Sequence, residues 1–311
     1  MRFGILGWGK IARTQLAPAI AQAGHEVVAI GSRSPTAATL AWSEAHAPVR
    51  WTGYEGVLSD PRVEAVYIAL PNDAHVPWSL KALAAGHHVL CEKPMAMHLA
   101  DVDRLSQSAH TAQRHLHEAY MVLHHPQWAA LKALDVGAWR HLQVAFSYDN
   151  RDPANIRNQA ALGGGALWDI GCYAVLLGHW LMDRAPDAVR CQQSRHPDWG
   201  TDIHTQGELR WGDESVLQFS VSTQAARHQS ALAVGERGWV ALDAPFNPPP
   251  LAPWRASEGL TLPALTSLNQ YAAMVHDFVA RAEAGVPTDL RFSRSVTDTL
   301  LRLHAAAHTA S

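Results

Sequence analysis

The chain has 311 residues, 48% of them hydrophobic and 17% charged, with a formal net charge of -3. That length suits two ordinary domains of ~100–200 residues each, and the composition is that of a globular chain able to bury a sizeable core. The charge leaves no basic footprint for nucleic acid, and no Lys/Arg-faced amphipathic helix or apolar run of ~20 residues is evident for a membrane.

The first residues enter a strand-like RFGIL (2–6) with no charged-then-apolar leader, so a cytoplasmic protein is expected. A glycine turn and a helix from about Lys10 to Ala23 follow, with Pro18 predicting a kink because it cannot bond the Thr14 carbonyl. Gly24 stops this helix, and EVVAIGS (26–32) and EAVYIAL (64–70) read as the second and third strands. Asp73 is placed to cap a helix that carries Val76, Leu80, Leu83 and Ala84 on one face and ends at Gly86. HHVLC (87–91), a helix from about Leu99 to Gln113, and HLHEAY (115–120) complete an alternation that predicts a parallel, doubly wound sheet over residues 1–120.

After Tyr120 the pattern changes. A helical piece (127–134) leads to HLQVAFSY, DAVRCQQS, IHTQGELRW, SVLQFSVST and SALAVGERGWVALDA, with turns at 211–214 and 235–238. These predict a second, α+β domain over 121–311 with a large, mostly antiparallel open sheet. LGGGALWDIGCYAVLLGHWLM (162–182) is a helix led by glycines, 247–254 is a surface loop, and the helices at about 268–284 and 293–308 are amphipathic packing elements free to fold back on the first domain. A sheet with few covering helices leaves a face to bury, which predicts a homodimer or homotetramer through it. The twelve tryptophans are expected mostly in the core.

Gly7-Trp8-Gly9-Lys10-Ile11-Ala12 is GxGxxA between a strand and a helix. Gly7 permits the turn, Gly9 a close approach to pyrophosphate, and Ala12 tight helix packing, while the helix start offers unpaired N–H groups. The alternative is a plain strand-to-helix turn. At the end of the second strand a dinucleotide site for NAD carries an acid, whereas this chain has Ser32-Arg33, with Glu26 and Glu44 out of place. A hydroxyl beside a guanidinium suits a 2′-phosphate, so NADP is favoured over NAD; the other reading is a surface arginine. Leu70, Asn72 and His75 follow the third strand, and Glu92-Lys93-Pro94 the fourth, where open parallel sheets bind ligands. Lys93 is either a solvated loop lysine or a group tuned for proton transfer. Asp169 and Tyr173 share a helix face, either as an acid and a phenol of one site or as a cap and a core tyrosine.

The nineteen histidines show no metal-ligand pattern: His117-Glu118 has Met121 at the position HExxH needs, and the pairs His87-His88 and His124-His125 are merely adjacent. Cys91, Cys172 and Cys191 lack CxxC spacing and read as reduced structural thiols.

Together GWGKIA, PNDAH, ALAAGHHVLCEKPMAM and LGGGALWDIGCYA resemble the glucose–fructose oxidoreductase / inositol dehydrogenase (Gfo/Idh/MocA) family, over essentially the whole chain. The resemblance implies a Rossmann domain followed by an α+β domain whose open sheet forms dimers, and hydride transfer between NADP(H) and a sugar, polyol or diol. It implies that Lys93 lies beside nicotinamide and substrate, that Glu92 contacts the nicotinamide ribose, and that Pro94 fixes the turn. It places Asn72 and His75 on the cofactor-lining loop, and makes Asp169 the acid and Tyr173 the proton-transfer residue. Tyr173, EAYMVLHHPQ (118–127) and NIR (155–157) are similar to the branch with NADP-linked D-xylose dehydrogenase and dimeric dihydrodiol dehydrogenase, which adds Arg157 as a substrate residue. Leu123 and Asn158-Gln159-Ala160 depart from that branch near the expected substrate pocket, leaving the sugar open. A non-catalytic NADP-binding regulator and a redox-neutral NAD-dependent glycosidase remain the other readings.

Overall fold

A computed structural model describes residues 1–33, 42, 49–212, 214–249 and 253–309. Ser34, Glu44, Asp213 and the middle of the 247–254 loop lie outside the described residues. The chain divides into two compact units: residues 1–124 with 269–293, and residues 125–268 with 294–311.

The first unit holds a six-stranded, wholly parallel sheet, ordered β3-β2-β1-β4-β5-β6. Its strands are β1 (Arg2–Leu6), β2 (Glu26–Gly31), β3 (Arg50–Thr52), β4 (Ala65–Ile68), β5 (His88–Cys91) and β6 (Leu116–Glu118). Apolar runs such as Phe3, Ile5 and Leu6 are fully buried, as expected of strands covered on both faces. The order reverses between β1 and β4, so the loops after those strands sit at the crevice where such sheets bind ligands.

Sequence periodicity missed β3 and the short helix α2 (Tyr54–Leu58) that follows it. Three residues are too few to show an alternation; β3 exists because β2 offers it an edge, with Ile30 opposite Trp51. The first helix also differs from expectation. Ala12–Leu16 is a π-helical turn, and α1 (Ala17–Gln22) begins only there, with Pro18 in its first turn. The missing Pro18 amide is absorbed by that change of pitch instead of a mid-helix kink. Asp73 is no cap: α3 (Asn72–Ala84) starts after Pro71 without a side-chain cap, and Asp73 lies in its first turn, where its charge suits the helix dipole. The buried face of α3 comprises His75, Val76, Ser79, Ala82 and Leu83, while Ala84 is exposed. α4 (Leu99–Ala112) and α7 (Gln270–Glu283) complete this unit.

The second unit holds a seven-stranded sheet, ordered β13-β12-β11-β7-β10-β9-β8. Its strands are β7 (Trp139–Asp149), β8 (Ala188–Arg195), β9 (Asp202–Trp211), β10 (Ser215–Ser222), β11 (Gln224–Gly235), β12 (Trp239–Leu242) and β13 (Trp254–Ala256). Every pairing is antiparallel except β7 with β10. The end of the expected 247–254 loop is therefore the start of an edge strand, β13. α5 (Pro126–Lys132), α6 (Cys172–Met182) and most of α8 (Arg291–Thr309) belong to this unit. The segment before α6 is not a single α-helix: a 3-10 turn spans Ala160–Leu162 and a π-helical turn Leu167–Gly171.

Two composition-based expectations need correction. Ala160–Met182 is long and apolar enough to cross a membrane by length and composition alone. Two-thirds of its most apolar stretch is buried inside the protein, so that apolarity serves packing. Of the tryptophans, Trp8, Trp128, Trp139, Trp168 and Trp211 are buried, but Trp42, Trp51, Trp78, Trp180, Trp199 and Trp254 are only half-buried and Trp239 is exposed.

Buried and half-buried histidines set a stability limit on the acid side. Burial, helped by His124 and His115, pushes His117 down to about 3; burial, helped by Arg302, pushes His179 down to about 4. Both stay neutral in the fold but charge in the unfolded chain below their ordinary value of 6.5. Unfolding therefore takes up protons, and stability falls as pH drops from about 6.5 toward 4. The melting temperature should be lower at pH 4.5 than at pH 7; equal values would remove these residues as the cause.

Candidate functional site

In the first unit the loop after β1 is shaped by Gly7, whose φ is +90°. A Cβ there would stand 2.3 Å from the Ala69 carbonyl oxygen, so only glycine lets this loop cross the end of β4. The Gly7 N–H donates to the Gly31 carbonyl at 2.9 Å and the Arg13 N–H to the Gly9 carbonyl at 3.1 Å, which opens the helix at Gly9. A Cβ on Gly9 would meet nothing within 4 Å. Ala12 is fully buried, Ile11 half-buried and Lys10 exposed. Trp8 packs edge-on against Trp42 and Trp51, with centroids 4.6 and 5.7 Å apart. Among the described residues, the buried indole N–H groups of Trp8 and Trp51 have no hydrogen-bond partner. Space at Gly9 and two orphaned donors beside it fit a large polar ligand such as a dinucleotide. Ser32 is half-buried, its N–H donating to the Thr52 carbonyl at 3.2 Å, and Arg33 is exposed.

The loops after β4 and β5 are tied together. His75 is 1% exposed, with Nδ1 2.8 Å from the Pro94 carbonyl oxygen and Nε2 2.8 Å from that of Leu70. Burial lowers its pKa, opposed by these two carbonyl contacts, and a protonated ring nitrogen donates to the carbonyl it faces. His75 thus belongs to the expected loop but turns its ring inward, as a tie between strand ends. Leu70 is buried, and Asn72, the first residue of α3, is half-buried.

Glu92-Lys93-Pro94 follows β5, with Glu92 and Lys93 half-buried and the Lys93-Pro94 bond cis. Two residues that sequence reasoning passed over hold this turn. The Tyr67 hydroxyl, wholly buried on β4, donates to Glu92. Glu118, 5% exposed at the end of β6, accepts the Met95 N–H at 2.8 Å. Burial raises the Glu118 pKa, opposed by the Ser293 hydroxyl, the Met95 amide, Tyr120 and the Lys93 charge. A turn clamped by a buried tyrosine on one side and a buried acid on the other can hold a lysine in one orientation. The only signal for either residue was its placement at a strand's carboxyl end.

In the second unit Asp169 lies in the π-helical turn and Tyr173 in α6. Tyr148, on β7, donates its hydroxyl to Asp169 Oδ2 at 2.5 Å, and Arg157 Nε lies 3.1 Å from Asp169 Oδ1. Asp169 is therefore no helix cap, and Arg157 is brought to it. Tyr173 is 5% exposed, its ring 5.8 Å from that of Phe146 and 5.3 Å from that of Phe246. Asp202 fixes the start of the turn: its Oδ2 accepts the Leu167 N–H at 2.7 Å and the Thr205 hydroxyl at 2.5 Å. Gly165, with φ +123°, leaves the room this carboxylate needs.

Of the two departures near the expected pocket, Asn158 is 2% exposed and donates Nδ2 to the carbonyls of Asn150 (3.2 Å) and Asp152 (2.8 Å). Its amide nitrogen staples its own loop, while its buried Oδ1 has no hydrogen-bond partner among the described residues. Leu123 is half-buried in a 3-10 turn. Among the described residues no three His, Cys, Asp or Glu side chains are grouped to hold a metal.

Residues 1–120 match the family model "Oxidoreductase family, NAD-binding Rossmann fold", and residues 129–241 match "GFO/IDH/MocA C-terminal domain". The chain is 30% identical to a D-xylose 1-dehydrogenase (NADP(+)) of Haloferax volcanii, covering 99% of this chain and 98% of that one. It is 35% identical to a dTDP-3,4-didehydro-2,6-dideoxy-alpha-D-glucose 3-reductase of Streptomyces violaceoruber, over 80% of this chain and 74% of that one. The crystal structure of a 3-ketoreductase from Actinomadura kijaniata in complex with NADP and TDP-benzene superposes with a TM-score of 0.88 at 25% identity, covering 98% of this chain and 97% of that one. With both domains matched and in order, the chain belongs to the Gfo/Idh/MocA family of oxidoreductases.

Proposed function

We propose that the protein is an NADP(H)-dependent oxidoreductase that interconverts a hydroxyl and a carbonyl on a sugar or a related polyol or diol. The observation that carries this reading is the Glu92-Lys93-Pro94 turn, clamped by Tyr67 and Glu118 at the carboxyl edge of the parallel sheet. The NADP named for the Haloferax and Actinomadura relatives supports the choice of cofactor, as do Ser32 and the exposed Arg33 at the end of β2.

In this reading Gly7, Gly9 and the helix start receive the pyrophosphate, with Trp8, Lys10, Ile11 and Ala12 forming that loop. Ser32 and Arg33 hold the 2′-phosphate. Leu70, Asn72 and Glu92 border the nicotinamide half, and His75 keeps their loops in place. The bound nicotinamide supplies the hydride acceptor or donor. Lys93 holds positive charge close to the reacting oxygen and favours its deprotonated form. As the phenolate, Tyr173 takes the proton from the substrate hydroxyl in the oxidation direction, and its ring packs against Phe146 and Phe246. Asp169 and Arg157 orient the substrate through hydrogen bonds to its hydroxyls. The same reading takes the protein as cytoplasmic and as a homodimer or homotetramer through the seven-stranded sheet.

The test is absorbance of reduced cofactor formed from NADP or NAD across aldoses, inositols and trans-dihydrodiols. Turnover with NADP and one of these substrates is expected. No turnover in either direction, with NADPH binding demonstrable by fluorescence, would overturn the reading in favour of a binding protein.

A further inference from the structure

We propose that Tyr148 is a positioning residue for this reaction, holding the Asp169 carboxylate through its hydroxyl in the orientation that meets the substrate. This rests on the role given to Asp169 above.

Leu142, Val144 and Phe146 on β7 are buried, so the alternation of the strand sends Tyr148 to the same face. It is the last residue on that face and is half-buried, where the strand runs out from beneath the helical layer. A regular α-helix would put Asp169 directly one turn before Tyr173. The π-helical turn adds a residue to that turn and offsets the two. Asp169 instead meets β7 and the loop carrying Arg157, and each of its oxygens has a partner: Oδ2 the Tyr148 hydroxyl, Oδ1 the Arg157 guanidinium. With both ends held, the carboxylate plane cannot turn, and its remaining lone pairs have fixed directions. Nothing in the composition or spacing of YDN marks Tyr148 for this. The strand register and the π turn together bring it there.

The titratable or charged groups around this turn are Tyr148 from β7, Arg157 from its loop, Asp202 from β9, and Cys172 and Tyr173 from α6. A donated hydrogen bond favours the ionised carboxylate, so its loss lets Asp169 take a proton at higher pH.

The experiment compares Tyr148→Phe, Asp169→Asn and the double variant with the wild-type enzyme on the substrate found by the panel. Tyr148→Phe keeps the ring and removes only the donor. It should lower kcat about tenfold and move the acid limb of the pH–rate profile upward, with NADPH affinity and melting temperature unchanged. Arg157→Gln should move that limb in the same direction, since it removes the other donor to the same carboxylate. In the Asp169→Asn background the tyrosine substitution should cost nothing further, because it acts through that carboxylate. A fully active Asp169→Asn would overturn the role of Asp169 itself, and this proposal with it. An impaired Asp169→Asn beside a fully active Tyr148→Phe with an unmoved pH profile would overturn the proposal alone, as would additive losses in the double variant.

Discussion

Lys93→Met should lower kcat by about 10²–10³-fold, the usual cost of removing a group that stabilises charge on the reacting oxygen, while NADPH affinity by fluorescence titration stays within about threefold. Methionine keeps the apolar stem and removes only the charge, so the clamps around the turn remain: Tyr67 on Glu92, Met95 on Glu118 and His75 at the Pro94 carbonyl. One side effect has a known sign. Lys93 is among the groups that favour ionised Glu118, and its loss leaves burial less opposed, so Glu118 becomes easier to protonate. A variant with near-normal turnover would defeat the assignment of Lys93, and a variant that no longer binds NADPH would move the residue from chemistry to cofactor binding.

Arg33→Ala should weaken NADPH by about 10–100-fold, the equivalent of ~1.5–3 kcal/mol for hydrogen bonds to a charged group. NADH should change by less than about twofold, since it has no 2′-phosphate for the guanidinium to meet. Arg33 is exposed at the end of β2, so its removal opens no cavity, and the melting temperature should hold. Equal weakening of both cofactors would refute the 2′-phosphate role and return Arg33 to an ordinary loop arginine.

Both predictions concern residues legible in the sequence, because they lie in short motifs at strand ends, where backbone geometry dictates residue type. GxGxxA is readable because a glycine at Gly7 is compelled by a backbone approach of 2.3 Å to Ala69, a constraint that leaves a local signature. The alternation of strands and helices was equally plain, since each element buries a face and so carries a period. The places where expectation failed share a cause. β3 is a three-residue strand that forms only because β2 presents an edge. The pitch changes at Ala12–Leu16 and Leu167–Gly171 depend on what packs against the helix, and helical periodicity does not register them.

The sequence by itself determined the parallel sheet, the dinucleotide loop, the Glu92-Lys93-Pro94 turn and the candidacy of Asp169 and Tyr173. Each of these depends on residues within a few positions of one another. Only the tertiary structure decided what surrounds them. Tyr67 and Glu118 reach the turn from two other strands, His75 joins two loops, and Tyr148 and Arg157 meet Asp169 from separate elements. All but the His75–Leu70 contact join residues 12 to 25 positions apart and follow from strand order and register, which are set by burial of the whole sheet, and no local window of residues contains that.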